Sequence, residues 1–198
     1  MTGISDAAGL EALVARAARA GKGAPPVESW NPAYCGELDM EIRRDGTWFY
    51  LGTPIGRPAL VQLFSSVLRK DEDGQTYLVT PVEKIKIRVE DAPFVAVEVN
   101  ESMRDGNKVL TFRTNVGDVI EAGPQNPLRF AEEAETGGLK PYLLIRGRLE
   151  ALINRAVTYE LAALGEEVEL EGKRMFAVSS NGATFPIIPA ERLAELSA

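Results

Sequence analysis

Apolar and polar positions alternate with a period of two over residues 84–89, where Ile85, Ile87 and Val89 stand between Lys84, Lys86 and Arg88. That period sends the two sets to opposite faces, so the segment predicts a half-buried strand with a basic outer side. A helical period runs through Leu60, Val61, Phe64, Val67 and Leu68 and predicts a helix over 57–69, with Pro58 tolerated in its first turn. A second stripe, Leu149, Leu152, Ile153, Ala156, Val157, Leu161 and Leu164, predicts a helix over 148–164. Near the start, Ser5 can cap a helix carrying Leu10, Leu13, Val14 and Ala17-Ala18 that stops at Gly21, before a linker of Gly, Lys, Ala and Pro over 21–26.

Between these stripes the chain reads as hairpins. Asp45-Gly46, Asp73-Gly74, Asp105-Gly106, Glu171-Gly172 and Asn181-Gly182 each separate strand-like runs. Asp-Gly and Asn-Gly pairs supply the positive φ of tight turns. Strand 38–43 is thus expected to pair with 47–51, and 95–99 with 109–113. Residues 121–138 contain Gly123-Pro124, Asn126-Pro127 and Gly137-Gly138, which predicts a long loop with a short helix near 128–133.

One order of elements occurs twice. A strand at 47–51, the helix over 57–69, an acidic turn and a strand at 76–80 are echoed by a strand at 141–145, the helix over 148–164, the acidic Gly165-Glu166-Glu167 and strands through Val178. The expected fold class is α+β: two related strand–helix–strand, roll-like units packed against each other behind a short N-terminal helix. The expected division is an N-terminal helix and linker (1–29), a first unit (30–93) and a second unit (94–198), with the boundary near Ala92-Pro93.

Composition narrows the chemistry. The 198 residues include no histidine, which removes the commonest general acid/base, the Ser-His-Asp triad and every His-ligated metal site. Cys35 is the one cysteine, so an internal disulfide is impossible and a structural zinc site is excluded; without a basic neighbour in sequence it is read as inert. A net charge of −7 repels nucleic-acid phosphates at long range, so no nucleic-acid partner is expected. No run approaches the roughly 18 apolar residues of a membrane span. The N-terminus lacks the basic start and apolar core of a secretory signal, and the expected location is the cytoplasm.

Several stretches carry a resemblance to a known family. They are Tyr77-Leu78-Val79-Thr80-Pro81-Val82-Glu83-Lys84-Ile85 with Ile87 and Val89-Glu90-Asp91-Ala92-Pro93-Phe94, then Trp48, Tyr50, Gly52, Pro54-Ile55 and Arg57. Further along stand Phe112, Thr114-Asn115 and Gly117-Asp118, then Pro141-Tyr142-Leu143 with Ile145-Arg146, and Ser179-Ser180 with Gly182 and Phe185. In this order, over about 30–189, they resemble the bacterial domain-of-unknown-function family 1285. The resemblance implies a duplicated α+β core, a C-terminal unit superficially like a pleckstrin-homology fold, a nucleotide-like ligand at the interface between units, and a signalling role. It implies no catalytic residues.

The candidate binding residues are Arg57, Lys84, Arg113 and Arg146 for phosphates, Tyr50 or Tyr142 for stacking, and Asn115. Arg57 precedes a predicted helix N-terminus, where free N–H groups attract anions, although the spacing is not that of a Walker loop. Arg146 ends an apolar strand and must reach water or an anion. Taken singly, Arg57 reads more simply as a surface arginine at a tight turn, and Arg113 and Arg146 as structural salt-bridge partners. The expected function is non-enzymatic binding of a small anionic, nucleotide-like ligand in the cleft between the units, by a sensor or regulatory protein needing neither cofactor nor metal. The alternative is a protein-interaction scaffold that accepts a strand at an edge near 85–89. Least favoured is a magnesium-dependent enzyme using Glu83, Asp91 or Asp118, because no two carboxylates are placed by sequence on one face near a Lys or Tyr.

Overall fold

A computed structural model describes residues 14–15, 25–133 and 136–192. Val14 and Ala15 are helical, and the rest of the expected N-terminal helix lies outside the described residues. Contacts divide the chain into a first unit, Met1–Phe94 with Arg146–Leu149, and a second unit, Val95–Ile145 with Glu150–Ala198.

The first unit holds a six-stranded sheet: β1 (Tyr34–Ile42), β2 (Trp48–Tyr50), β3 (Thr53–Pro54), β4 (Leu68–Lys70), β5 (Thr76–Val79) and β6 (Lys84–Val89). Their spatial order is β3-β2-β1-β6-β5-β4, two antiparallel meanders joined through a parallel β1–β6 pair. One face is the core, where Leu38, Met40, Ile42, Trp48, Leu78, Ile85 and Ile87 are buried. The helix α1 (Pro58–Ser66) follows β3 and sets the fully buried Phe64 against Trp48, their rings stacked at 6.3 Å. On the other face, charges match across the parallel pair. Lys86 meets Glu37 at 3.7 Å and Arg88 meets Asp39 at 2.7 Å.

The second unit holds another six-stranded sheet: β7 (Phe94–Arg104), β8 (Asn107–Thr114), β9 (Val119–Glu121), β10 (Leu128–Glu132), β11 (Leu139–Arg146) and β12 (Leu149–Ile153). Its order is β10-β11-β12-β7-β8-β9. The helix α2 (Arg155–Ala163) comes next, then a three-stranded meander, β13 (Glu166–Leu170), β14 (Lys173–Ser180) and β15 (Ala183–Pro189). Asn154 caps α2 by accepting a hydrogen bond from the Val157 amide at 2.9 Å.

The two large sheets share one topology. In each, three strands form a meander, three more form a second, and the first strand of the first lies beside the last strand of the second. The repeat is therefore one of sheets. The helices fall at different points in it, between the meanders in the first unit and after both in the second.

The α+β expectation of two strand–helix–strand rolls, the second pleckstrin-like, is overturned. Strand accounts for 52% of the described residues and helix for 15%, and three sheets build the protein. Three local misreadings produced the error. The helix expected over 148–164 is a strand followed by a shorter helix: Leu149, Ala151 and Ile153 are buried alternately along β12. The helix expected over 57–69 ends at Ser66, and Leu68 lies in β4. The short helix expected near 128–133 is β10. The hairpin readings hold. Gly46 and Gly74 have positive φ, and in the turns at 105–106, 171–172 and 181–182 both central residues do. The strand edge offered near 85–89 is not one, because β6 is hydrogen-bonded on both sides, to β1 and to β5.

Candidate functional site

The second unit contains a cavity of about 500 Å³ bounded by β10, the start of β11, α2, β14 and β15. Local patterning explains its walls. Phe130 and Ala131 are half-buried on β10, an edge strand of its sheet. From α2 come Leu161, buried on the apolar stripe, and Ala162, whose small side chain leaves room. Phe176 on β14 and Ile187-Ile188 on β15 complete the apolar lining. The Phe176 ring is pressed onto Gly165, where an added Cβ would stand only 2.3 Å from the ring tip, so the absence of a side chain at Gly165 fixes the ring's place.

One end of the cavity is polar. Arg192 Nη2 and Nη1 donate to the two Glu132 carboxylate oxygens at 3.2 and 3.4 Å, with both side chains about half exposed, and Gly137 and Gly138 line the same end. These distances are long for charge-assisted bonds, which centre near 2.8 Å, so the pair is loose. Thr158 also lines the cavity, but its hydroxyl donates to the Asn154 carbonyl at 2.8 Å. The arrangement has an apolar body and a charged mouth.

None of the seven residues singled out from sequence lines this cavity. Arg57 is the exposed N-cap residue of α1, with no side-chain capping bond. Lys84 bridges to Asp71 at 3.0 Å and lies 4.6 Å from the centre of the Tyr77 ring. Arg113 is paired with Glu98, whose carboxyl is held below its ordinary pKa chiefly by that guanidinium. Arg146 donates to the Ser65 carbonyl at the C-terminal end of α1, where a cation meets the negative end of the helix dipole. Tyr50 is half-buried in β2 opposite Met40 and Thr53. Tyr142 is buried on β11 beneath Arg129, whose guanidinium lies 4.2 Å from the ring centre. Asn115 ties β7 down: its side-chain oxygen accepts from the Val95 amide at 3.0 Å, and its own amide donates to the Val95 carbonyl at 2.8 Å.

Arg57 and Arg146 hold different places in the fold: Arg57 leads into α1, whereas Gly147 turns the chain from β11 into β12, so Arg146 starts a hairpin turn. The tightest charged cluster of the first unit centres instead on Arg69, which is 8% exposed. It meets Asp71 at 2.6 Å and donates to the carbonyls of Val27 and Trp30 at 2.8 and 2.7 Å. Among the described residues no group of three or more Cys, Asp or Glu could hold a metal ion, and no helix is long and apolar enough to cross a membrane.

Sequence reading missed the cavity because no local pattern marks it. Phe130, Phe176, Ile187 and Ile188 each look like ordinary strand residues, and only their meeting across two sheets and a helix encloses a space.

No curated protein matches this chain. Among solved structures, a protein from Silicibacter pomeroyi DSS-3, described as a DUF1285 family protein, is 50% identical, with a TM-score of 0.82 over 91% of this chain and 97% of that one. A DUF1285 family protein from Shewanella baltica OS155 is 27% identical, with a TM-score of 0.48 over 61% of this chain and 87% of the other. Residues 25–92 match the N-terminal domain of the domain of unknown function DUF1285, and residues 93–187 match the C-terminal domain of the same family. The chain belongs to the DUF1285 family.

Proposed function

We propose that this protein is a non-enzymatic small-ligand-binding protein with a sensor or regulatory role, and that its ligand occupies the cavity of the second unit. The observation that supports this reading is the cavity itself. Its volume of about 500 Å³ lies within the 300–1,000 Å³ typical of small-molecule sites, and apolar walls with a few placed polar groups are the usual make-up of such sites. The anionic ligand expected from the sequence keeps its charge in this reading but changes its place. Lys84 and Arg113 are already held by carboxylates, while the Glu132–Arg192 pair stands at the mouth of an apolar space.

The test is a thermal-shift screen of the full chain against nucleotides, cyclic nucleotides and apolar carboxylates, with sulfate and phosphate as controls. A ligand at 100 times its Kd stabilises by about 2.7 kcal/mol. A saturable shift is expected for a molecule with an apolar body, and none for the simple anions. Ala162→Trp, which fills the space, should abolish that shift while the free variant still melts cooperatively. No shift across the panel, or an undiminished shift in Ala162→Trp, overturns the reading.

A further inference from the structure

Granting that the cavity of the second unit binds a ligand, we infer that the ligand class is an extended peptide segment with apolar side chains, which adds a strand to the free edge of β10. The first argument is where the cavity lies. Successive side chains on a strand point to opposite faces. Yet three residues in a row line the cavity from β10, Phe130, Ala131 and Glu132, and three from β15, Ile187, Ile188 and Pro189. A space touched by both faces of two strands runs along their edges. Each of the two is an edge strand, β10 paired only with β11 and β15 only with β14.

The second argument is what those edges present. The Leu144 amide donates to the Pro127 carbonyl at 3.1 Å, and the Glu133 amide to the Gly138 carbonyl at 2.8 Å. Bonded pairs alternate along an antiparallel ladder, so the main chain at 127, 129, 131 and 133 is turned toward β11. The N–H and C=O groups of Phe130 and Glu132 point the other way, two residues or about 6.8 Å apart, and no strand pairs with them. β15 does not close on that edge. Counted from its turn at Asn181-Gly182 and across the extra residue Ile187, the same alternation sets Pro186 and Pro189 at the outward positions, and proline has no N–H to give. Polar side chains add little, since the Thr158 hydroxyl already donates to the Asn154 carbonyl and Glu132 is paired with Arg192. A row of main-chain donors and acceptors beside Leu161, Phe176 and Ile188 matches an extended backbone with hydrocarbon side chains. A sugar or a nucleobase lacks that repeat.

The test is isothermal titration of the full chain with the tetrapeptide acid acetyl-Val-Leu-Val-Leu, the same peptide N-methylated at every amide, and decanoate, which shares its charge and apolar character without a peptide backbone. The parent peptide is expected to bind at least about tenfold more tightly than either, the effect of two or more lost hydrogen bonds. Glu132→Ala removes the side chain and keeps the edge amide, whereas Glu132→Pro removes both, at an outward edge position that tolerates proline. The peptide should bind Glu132→Pro about fivefold more weakly than Glu132→Ala, and decanoate should bind the two alike. Slowed hydrogen exchange at the Phe130 and Glu132 amides on adding the peptide reads the same pairing without a variant. If the methylated peptide or decanoate binds as tightly as the parent peptide, if exchange at those amides is unchanged, or if only a nucleotide of the thermal-shift panel binds, the ligand class is wrong although the cavity still binds. If none binds and that panel is also silent, the binding reading falls with it.

Discussion

At the scale of single residues, charge on this protein is mostly structural. Arg69 shows why. Its guanidinium, nearly out of water, is shared among the Asp71 carboxylate and the carbonyls of Val27 and Trp30, which pins the segment before β1 to the end of β4. Breaking a buried pair by removing one partner typically costs about 3–5 kcal/mol, because the other charge is left in a dry place. Asp71 would keep Lys84 at 3.0 Å, so the loss for Arg69→Ala should sit near the lower bound, about 3 kcal/mol. Urea unfolding would measure it, and a change under about 1 kcal/mol would show that the cluster is solvated. Arg69→Lys should recover only part of the loss, since an ammonium cannot reproduce the fork. From sequence, Arg69 was an unremarked basic residue at the end of a predicted helix. Arginines with an obvious strand or loop setting drew attention instead; of these, Arg113 forms an ion pair and Arg146 a carbonyl bond. The acid two residues on, Asp71, is a local partner, but the carbonyls that bury the Arg69 guanidinium lie about 40 residues away in the chain and leave no local mark.

At the scale of elements, turns were legible and helix boundaries were not. Two-residue turns are dictated by backbone sterics, so Asp105-Gly106 and Asn181-Gly182 announce themselves wherever they occur. The stripe over 149–164 failed because leucine at positions 149 and 152 satisfies a helical period by accident, while the true strand alternation runs through the small Ala151. Asn154 was the overlooked signal. An Asn followed three residues later by the apolar Val157 marks a helix start, and a helix cannot both start there and run through. Asn154→Ala should therefore destabilise the protein by about 1 kcal/mol, with Asn154→Asp close to neutral. Equilibrium unfolding of the two variants checks this. Equal losses would mean that Asn154 matters through something other than its bond to the Val157 amide.

At the scale of the whole molecule, the repeated order of elements noticed in sequence and the repeated sheet topology are different repeats. Aligning the sheets sets β1–β3 against β7–β9 and β4–β6 against β10–β12, which places α1 opposite the connection between β9 and β10 rather than opposite α2. Duplication was thus legible for the wrong elements, since sheet order depends on long-range pairing that no window of sequence contains. The pH response is set by both local and cross-strand pairs. Asp45, Asp71, Asp73, Glu98 and Glu121 are all held below their ordinary pKa, mainly by hydrogen bonds from Thr47, Arg69, Tyr77, Arg113 and Arg104 respectively. A carboxyl whose folded pKa is depressed stabilises fully above its unfolded value, near 4, and loses that contribution as pH falls through the folded value. Tyr77 has the opposite sign. The hydrogen bond it donates to Asp73 pushes its pKa up to about 12, so its contribution is whole below the unfolded value of 10 and disappears as pH rises through 12. The urea midpoint should accordingly be flat from about pH 5 to 9, fall steeply below about 4, and fall again above about 10. Asp71→Asn should lower the plateau and make the acid limb shallower, because the variant has one fewer depressed carboxyl to protonate. An acid limb unchanged in slope would place the acid sensitivity among the other depressed carboxyls, Asp45, Asp73, Glu98 and Glu121, and away from the Arg69 cluster.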